Sequence, residues 1–473
     1  MTECASESHT GKGLGWEAPA PLPLDIDTPR LTIRRYTLDD ASALHALINA
    51  NREHLLPYVP FARTKHFTPE NTGAFVAEMI RCAAEPGGPH PGDGALFPGI
   101  DAPIVEKATG KIIGTVCLHS VRPDTRSCEI GYWVDKDLAG QGYATEATRC
   151  WISHLLRPVG AGGLGFRRLR VFCSGHNAAS RRVAEKLGVP LEVHQRANNH
   201  LPDFGTTDQL GWGVVDDEWD TEASAMRPGV EGARIADEPL ATPPPTSGEH
   251  GFGWQPRVPL LIDIVTPRLR LRTYRASDGP EMFKLINENR AHLVPFMPWA
   301  RSQHQTVEAS EAYCATQAHL AAEPKGHGVR NGPAARPFQG VGIVIEERET
   351  GDLVGATGLH DVRPETASCE TGYWVSADRA RRGYCTEAMR YWLRHLLSPT
   401  ERSGLGLKRV RMYCSSENAA SIGVCEKLGI RKEVHQRDDY FVEDLGVTDR
   451  LGWGVLASEW DTIFHRVRDA SPA

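Results

Sequence analysis

The sequence predicts an α/β protein made of two copies of one domain, each a mixed β-sheet with helices on both faces. The first observation is a repeat: LINANREHL at Leu47 returns as LINENRAHL at Leu285, and GYWV at Gly131 returns at Gly372. The second is that strand-like runs, with a period of two, alternate with helix-like runs in each copy. Each copy has about 210 residues, the size of an independent domain and too long for a solenoid unit.

The elements of the first copy can be read in order along the chain. Thr37 is expected to cap the first helix, because Asp40 three residues later resembles the acidic partner of a capping box. Leu44, Leu47 and Ile48 then share one face of that helix. The predicted strands are 31–35, 112–118, 128–134, 168–173 and 209–215, and further helices follow the loop 135–141 and cover 178–187.

The two predicted domains are 13–221 and 251–465. Between them, the segment 222–250 contains PLATPPPTSG, a proline-rich composition that is typical of a semi-stiff linker. A linker of this length would hold the two domains at an effective concentration of about millimolar. We therefore expect the domains to pack as an internal pseudo-dimer within one chain.

The composition is that of a globular protein, with 40% hydrophobic and 24% charged residues among 473. A net charge of -7 without a basic run argues against nucleic acid as a partner. No apolar run reaches the roughly 20 residues of a membrane helix, and the start lacks a signal-peptide pattern, so we expect no membrane partner and a cytoplasmic protein. The 11 cysteines form no C-x-x-C pair and the 19 histidines lack ligand spacing, so no metal is predicted.

A glycine-rich loop follows the strand that contains GYWV and leads into a helix in each copy. The loop reads GQGYAT from Gly140 in the first copy and RRGYCT from Arg381 in the second. Such a loop directs free backbone N–H groups and the positive end of a helix dipole to one point, which suits a phosphate group. Taken alone, the motif is explained equally well by a plain helix entry.

A second strand-to-helix junction carries Asn177 in SGHNAASRRVAEKLG and Asn418 in SSENAASIGVCEKLG. Asparagine is a favourable N-cap, so a purely structural role is one interpretation. The other interpretation is a ligand-binding junction, because the two junctions recur in the same order in each copy and are expected near one edge of the sheet.

Both copies resemble GNAT-superfamily acyltransferases, in particular the branch of ribosomal-protein N-terminal acetyltransferases that modify serine or alanine α-amines. The resemblance covers residues 13–220 and 251–461. It rests on TPRLTIRRY and TPRLRLRTY, NREHLLPYVP and NRAHLVPFMP, EIGYWV and ETGYWV, GQGYATEA and RRGYCTEA, and NAASRRVAEKLG and NAASIGVCEKLG. It implies acetyl-CoA as the cosubstrate, an amine acceptor, and two neighbouring strands that part to hold the pantetheine arm.

The resemblance also implies which residues bind acetyl-CoA, with a backbone N–H near Val134 or Val375 polarising the thioester carbonyl. The full set is Val134, Gly140, Gln141, Gly142, Tyr143, Ala144, Thr145 and Asn177 in the first copy, and Val375, Arg381, Arg382, Gly383, Tyr384, Cys385, Thr386 and Asn418 in the second. The first loop keeps two glycines, so we expect its copy to bind CoA at least as tightly as the second, unless the two arginines compensate.

The candidate acid differs from that of many relatives. Those relatives protonate the leaving thiolate with a tyrosine seven residues after the asparagine, where this chain has Ala184 and Cys425. In the resembled branch the candidate acid is a serine three residues after the asparagine. Both copies carry it, as Ser180 and Ser421.

Glu129 and Glu370 are the candidate general bases. Each lies in an otherwise apolar strand, where burial would raise the carboxyl pKa towards the working pH of a base. A glutamate that pairs with a nearby arginine in the sheet would explain the same pattern. His119 and His360, at the end of the preceding strand, are rival bases.

The leading hypothesis is therefore an acetyl-CoA-dependent N-acetyltransferase that acts on a primary amine by direct attack, with both copies equipped for catalysis. A protein N-terminal α-amine is the favoured acceptor, while a small-molecule amine of the aminoglycoside kind and succinyl transfer stay open. The rival class is a non-catalytic acyl-CoA-binding scaffold. The segment 85–101, which would help to shape the acceptor pocket, is among the least matched parts of the repeat, so the sequence does not name the acceptor.

Overall fold

The computed structural model describes residues 14–59, 61–86, 97, 99–220, 252–256, 259–323 and 340–469, with side chains up to residue 465. The predicted linker 222–250, the first residue of each predicted domain and most of the segment 85–101 lie outside the described residues.

The chain divides into two compact units. The first holds the described residues of Met1–His194 and Leu201–Pro244 together with Gln436–Phe441, and the second holds Gln195–His200 with most of the C-terminal half. Each unit thus includes a short segment from the other half of the sequence, which the repeat pattern did not predict.

The first unit follows the predicted alternation of strands and helices. The strands of the N-terminal half are β1 (Asp25–Asp27), β2 (Leu31–Arg34), β3 (Ile100–Glu106), β4 (Ile112–Arg122), β5 (Ser127–Val134), β6 (Arg168–Ser174), β7 (Leu191–Leu201) and β8 (Gly205–Val215). Its helices are α1 (Asp40–Leu55), α2 (Phe61–Thr64), α3 (Pro69–Ala84), α4 (Tyr143–Leu156) and α5 (Ala178–Leu187).

The C-terminal half repeats this order and adds a final helix. Its strands are β9 (Asp263–Val265), β10 (Leu269–Thr273), β11 (Gly340–Glu347), β12 (Leu353–Arg363), β13 (Ser368–Val375), β14 (Arg409–Ser415), β15 (Arg431–Val442) and β16 (Gly446–Leu456). Its helices are α6 (Gly279–Leu293), α7 (Trp299–Ser302), α8 (Val307–Ala322), α9 (Tyr384–Leu397), α10 (Ala419–Lys427) and α11 (Ala457–Asp469).

The sheet of the first unit runs in the order β1-β2-β3-β4-β5-β6-β8, and the sheet of the second in the order β9-β10-β11-β12-β13-β14-β16. Neighbours are antiparallel except β5 with β6 and β13 with β14. The parallel pairing of β5 with β6 covers only Ser127 to Glu129 opposite Arg168 to Arg170, although both strands continue. The two strands therefore part beyond Glu129, as the resemblance implies, and β13 parts from β14 beyond Glu370 in the same way.

Helices cover both faces of each sheet, which confirms the predicted fold class. In the first unit, Trp151, Ile152 and Leu155 of α4 join Val116 and Ile130 of the sheet in one buried cluster. On the other face a second cluster contains the apolar stripe of α1, with Val76 of α3 and Trp133 of β5. The loops that begin at the gap between β5 and β6 therefore lie between the two buried clusters, one on each face of the sheet.

Two details differ from the sequence prediction. Thr37 is not the N-cap of α1, which begins at Asp40 and has Asp39 as its N-cap. The Asp40 carboxylate still accepts a hydrogen bond from the Thr37 N–H at 2.7 Å, as in a capping box, and pairs with Arg34 at 2.7 Å. The strands β1, β3 and β7 and the helices α2 and α3 were not predicted. Pro103 interrupts the strand-like pattern of β3, and most of β7 is polar, so neither has the apolar alternation that identifies a strand.

Candidate functional site

The loop between β5 and α4 places two glycines in the left-handed region. Gly140 has a φ of 80°, and Gly142, the N-cap of α4, has a φ of 86°. The first turn of a helix leaves its N–H groups without intrahelical acceptors, and here those groups belong to Tyr143, Ala144 and Thr145. Their N–H groups lie at the positive end of the helix dipole, which is the arrangement that binds an anion.

The loop of the second unit keeps this backbone shape with an arginine in place of the first glycine. Arg381 has a φ of 58°, a conformation that costs a residue other than glycine roughly 1 kcal/mol or more. Gly383, the N-cap of α9, has a φ of 80°. Arg381 and Arg382 are both exposed. The second loop therefore adds two guanidinium groups beside the first turn of α9, which consists of Tyr384, Cys385 and Thr386.

The sequence prediction missed an ion pair that fixes the start of α4. The Arg30 side chain donates to Glu146 at 2.6 Å and to the Gln141 carbonyl at 3.1 Å, and it stacks on the Tyr143 ring at 4.2 Å. Although burial opposes it, hydrogen bonds from Thr28 and Arg30 hold the pKa of Glu146 below its usual range. This clamp holds the loop against the turn before β2. The repeated TPRL motif, which contains Thr28 and Arg30, was the sequence signal that could have revealed it.

The second unit repeats the clamp. Arg268 donates to Glu387 at 2.7 Å and to the Arg382 carbonyl at 2.9 Å, and Thr266 donates to Glu387 at 2.6 Å. Both loops are therefore fixed from the same side by an arginine and a glutamate.

Val134 and Val375 are the last residues of β5 and β13. They lie on the stretch where these strands have parted from β6 and β14, between the paired segment and the glycine-containing loop. The backbone of this stretch still pairs with β4 and β12 on its other edge. Its inner edge therefore presents backbone groups to the gap.

Asn177 caps α5 across this gap, since its side chain accepts a hydrogen bond from the Ser180 N–H at 3.0 Å. The Ser180 hydroxyl lies 3.1 Å from the Tyr132 hydroxyl, which reaches over from β5. Burial raises the pKa of Tyr132 well above its usual value, so the phenol stays protonated. The sequence prediction did not include Tyr132, because the GYWV motif gave no sign that its tyrosine reaches the serine of another element.

The second unit has the same group of three. Asn418 accepts from the Ser421 N–H at 3.0 Å, and the Ser421 hydroxyl lies 3.0 Å from the Tyr373 hydroxyl. The Tyr373 hydroxyl also lies 3.7 Å from the Cys425 sulfur. A tyrosine thus approaches the candidate acid in both units, although it comes from the strand and not from the position of Ala184 and Cys425.

The candidate bases lie where the strands part. Glu129 is opposite His119 in the antiparallel pairing and opposite Arg170 in the parallel pairing, and its side chain is 26% exposed. Its carboxylate is 3.9 Å from His119 Nε2. Arg170 in turn forms a buried ion pair with Asp439, a residue of the first unit, at 2.9 Å. The arginine that could neutralise Glu129 is therefore already paired.

This arrangement raises the pKa of Glu129. Burial is the largest cause, and the negative charge of Asp439 adds to it, while His119 and Arg170 act in the opposite direction and only partly offset it. The pKa of the candidate base in the first unit is therefore displaced towards neutral pH, which favours general-base catalysis.

The second unit differs here. Burial alone would raise the pKa of Glu370, but the hydrogen bond from His360, at 3.3 Å, and the charges of Arg450 and Arg411 outweigh burial and lower it. Arg411 donates to Asn198, where Arg170 has Asp439. The two candidate bases therefore have opposite pKa shifts: a hydrogen bond from His360 stabilises the charged form of Glu370, whereas burial and the charge of Asp439 oppose the ionisation of Glu129.

The structure therefore brings the predicted residues of each unit to one gap. The glycine-containing loop lies at the end of β5, the serine lies across the gap, and the glutamate lies at its closed end. Among the described residues, no group of three or more metal-ligating side chains is found. Within the same residues, no helix is long and apolar enough to cross a membrane.

Comparison with known proteins identifies relatives of both halves. The model of the family "Acetyltransferase (GNAT) domain" matches residues 30–189 and 268–431, more than half of the chain. "Putative ribosomal N-acetyltransferase YdaF" of Bacillus subtilis (strain 168) is 25% identical over 192 residues, which are 41% of this chain and 94% of that protein. The "Ribosomal-protein-serine acetyltransferase" of Escherichia coli (strain K12) is 33% identical over 82 residues, 17% of this chain and 43% of that protein.

Solved structures match the chain as well. That of Mycobacterium smegmatis RimJ in complex with CoA-disulfide is 23% identical, covers 44% of this chain and 93% of its own, and has a TM-score of 0.35. The family model matches each half separately, over the strands, loops and helices that form the gap. The chain therefore belongs to the GNAT acetyltransferase family and contains two domains of that family.

Proposed function

We propose that each unit transfers an acetyl group from acetyl-CoA to a primary amine, with a protein N-terminal α-amine as the favoured acceptor. The observation that carries the proposal is the meeting of three features at one gap between parallel strands. These are an anion-binding loop, a partly buried carboxyl and a hydroxyl that a tyrosine holds in place. The names of the relatives support a ribosomal protein as the source of the amine.

The loops fit the pyrophosphate of the cosubstrate. Glycines at positive φ, Gly140 and Gly142, allow close approach of backbone N–H groups to the phosphates. In the second unit Arg381 and Arg382 supply charge-assisted bonds instead. Acetyl-CoA, when bound, supplies the acetyl thioester. The inner edge of β5 presents unpaired backbone groups to the pantetheine amides, and the Val134 N–H lies where it could polarise the thioester carbonyl.

The acceptor must lose a proton to attack. At pH 7 roughly a tenth of an α-amine is already neutral, against less than a thousandth of an unperturbed lysine. A carboxylate is therefore a sufficient base for an α-amine. In the first unit Glu129 takes the proton from the amine as its nitrogen bonds to the acetyl carbon, and Glu370 does so in the second.

The leaving thiolate needs a proton when its bond to the acetyl carbon breaks. Ser180 lies across the gap from Glu129. The thiolate therefore receives its proton on one side of the gap, and the amine loses its proton on the other. The Tyr132 hydroxyl holds the Ser180 hydroxyl at 3.1 Å, and the serine gives its proton to the thiolate and recovers one from solvent. Tyr132 is thus a positioning residue that acts through Ser180.

The proposed function is tested by measuring thiol release from acetyl-CoA with peptides that begin with a free serine or alanine. We expect acetylation of the α-amine, read by mass spectrometry, and none when the same peptide is blocked at its N-terminus. Replacing both Glu129 and Glu370 with glutamine should lower turnover about 100-fold, because a base acts on the amine, with little change in CoA affinity.

Two outcomes would contradict this assignment. CoA binding without turnover on any amine would indicate a scaffold. A larger loss in the His119→Ala, His360→Ala double variant than in the double glutamine variant would assign the base to the histidines.

The loop assignment predicts the number of CoA sites. The variant Gly142→Val strains a residue at φ 86° and crowds the loop, so the stoichiometry in isothermal titration should fall from two CoA molecules per chain to one. Gly383→Val should remove the other site. The matched control is Gly162→Val, which has the same left-handed strain, φ 80°, beyond the opposite end of α4. Two sites in Gly142→Val, or one in the control, would refute the loop assignment.

The opposite pKa shifts predict different pH profiles for the two units. A base works when deprotonated, and the pKa of Glu129 is raised while that of Glu370 is lowered. The acid limb of kcat/KM should therefore lie at higher pH for the first unit, measured in Gly383→Val, than for the second, measured in Gly142→Val. Asp439→Asn, which copies Asn198 of the other unit, removes a charge that raises the pKa of Glu129. It should therefore move the acid limb of the first unit to lower pH. Coinciding or reversed limbs would contradict the electrostatic explanation.

The role of Tyr132 is tested by a double-mutant cycle in the Gly383→Val chain. Tyr132→Phe should lower kcat about tenfold with little effect on the KM for acetyl-CoA, because the hydrogen bond to Ser180 is lost. In a Ser180→Ala background the same change should have almost no further effect. An equal loss in both backgrounds would show that Tyr132 acts only on local structure.

A further inference from the structure

Three residues on neighbouring strands lie on the sheet face beside each candidate base, and we call these three positions the floor. In the first unit Asp101 of β3 is the register partner of Cys117 of β4, which is the partner of Gly131 of β5. Side chains alternate between sheet faces along a strand, and partners share a face. His119 and Glu129 are two residues from Cys117 and Gly131, so all five positions lie on one face, the face covered by α1 and α3.

In the first unit this floor carries a carboxyl and a thiol. Asp101 accepts hydrogen bonds from the Tyr36 hydroxyl at 2.6 Å and from the Thr115 hydroxyl at 2.9 Å, and it keeps partial exposure. Burial raises the pKa of Asp101 to about 7. The Cys117 sulfur lies over Gly131, since a Cβ at that glycine would come within 2.9 Å of it.

In the second unit the same three positions are Gly342, Gly358 and Gly372, again in register. Gly372 is exposed although its strand β13 lies between two others, so the face is open beside Glu370. Ala356 replaces the threonine that holds the carboxyl in the first unit. The two floors therefore differ in charge and in depth.

The fold does not require the carboxyl. Tyr274, which corresponds to Tyr36, is 5% exposed, as Tyr36 is, although it packs against Gly342 and has no aspartate there. Asp101 satisfies the buried Tyr36 and Thr115 hydroxyls of the first unit, but a partly buried carboxyl costs solvation free energy, and the duplicate buries the same tyrosine without one. A role in binding explains why the first unit keeps it.

We propose that Asp101 forms a subsite for a second positive charge on the acceptor, so that the two units select different amines. The first unit takes an α-amine followed by a lysine or arginine. The glycine floor of the second unit is covered at Gly342 by Tyr274 and the Gln317 carboxamide and carries no carboxyl, so that unit has no preference for the charge. The inference rests on the proposed function, because it places the acceptor amine at Glu129 or Glu370.

The spacing of the two carboxyls suits such an acceptor. A strand separation of about 4.8 Å and a rise of about 3.3 Å per residue put the Cα atoms of Asp101 and Glu129 about 12 Å apart. A peptide with its α-amine at Glu129 spans this distance with a long basic side chain at its second or third residue. Its ammonium would then form a charge-assisted hydrogen bond with Asp101.

The test compares two peptides that differ only in charge, with lysine or norleucine after the N-terminal residue, using the full chain. Acetylation of the α-amine is measured by mass spectrometry in Gly383→Val, which reports the first unit, and in Gly142→Val, which reports the second. We expect kcat/KM to favour lysine about tenfold in the first unit, mainly through KM, and by less than about twofold in the second. Adding Asp101→Asn to Gly383→Val should bring the ratio near one.

The outcomes separate the inference from the function on which it rests. Equal ratios in the two single variants overturn the inference whether or not Asp101→Asn folds, because that comparison does not use it. A ratio that Asp101→Asn leaves intact overturns it as well. Failure to acetylate either peptide in either variant, or in the unaltered chain, overturns the proposed function itself and the inference with it.

Discussion

The site depends on one constraint, which is that two parallel strands pair for only three residues and then part. Beyond Glu129 and Arg170, β5 remains paired to β4 and β6 to β8, so each strand keeps one satisfied edge. The other edges face a gap in which backbone groups need partners. The loop, the serine and the glutamate all take their positions from this opening.

The clamp between Arg30 and Glu146 explains why the loop at the mouth of the gap holds its shape. A loop with two residues at positive φ has many alternatives in the unfolded chain, and the ion pair, the carbonyl contact and the stacking on Tyr143 restrict it. The pair is partly exposed, so it contributes modestly to global stability. Its effect is local, since it fixes the direction of the first N–H groups of α4.

The two units show how a duplicated site changes while its frame is kept. The backbone of both loops, the clamp and the tyrosine–serine contact are the same. What differs is charge: two arginines stand at the second loop, an asparagine replaces Asp439 beside the buried arginine, and glycines replace the polar floor. Each of these changes leaves the strand register intact. Charge can therefore vary between the copies without disturbing the gap.

The sequence by itself determined the duplication, the mixed sheet and the residues that line each gap, because repeats and motifs are local and survive without coordinates. The Thr37 cap was wrong, since α1 begins three residues later, at Asp40, with Asp39 as its N-cap. Only the tertiary structure decided which side chains meet. Tyr132 reaches Ser180 from 48 positions away, and Asp439 reaches Arg170 from 269. Such pairs leave no pattern in a single sequence, and yet the charge of Asp439 adds to the raised pKa of Glu129, because charge interactions depend on distance in space and not along the chain.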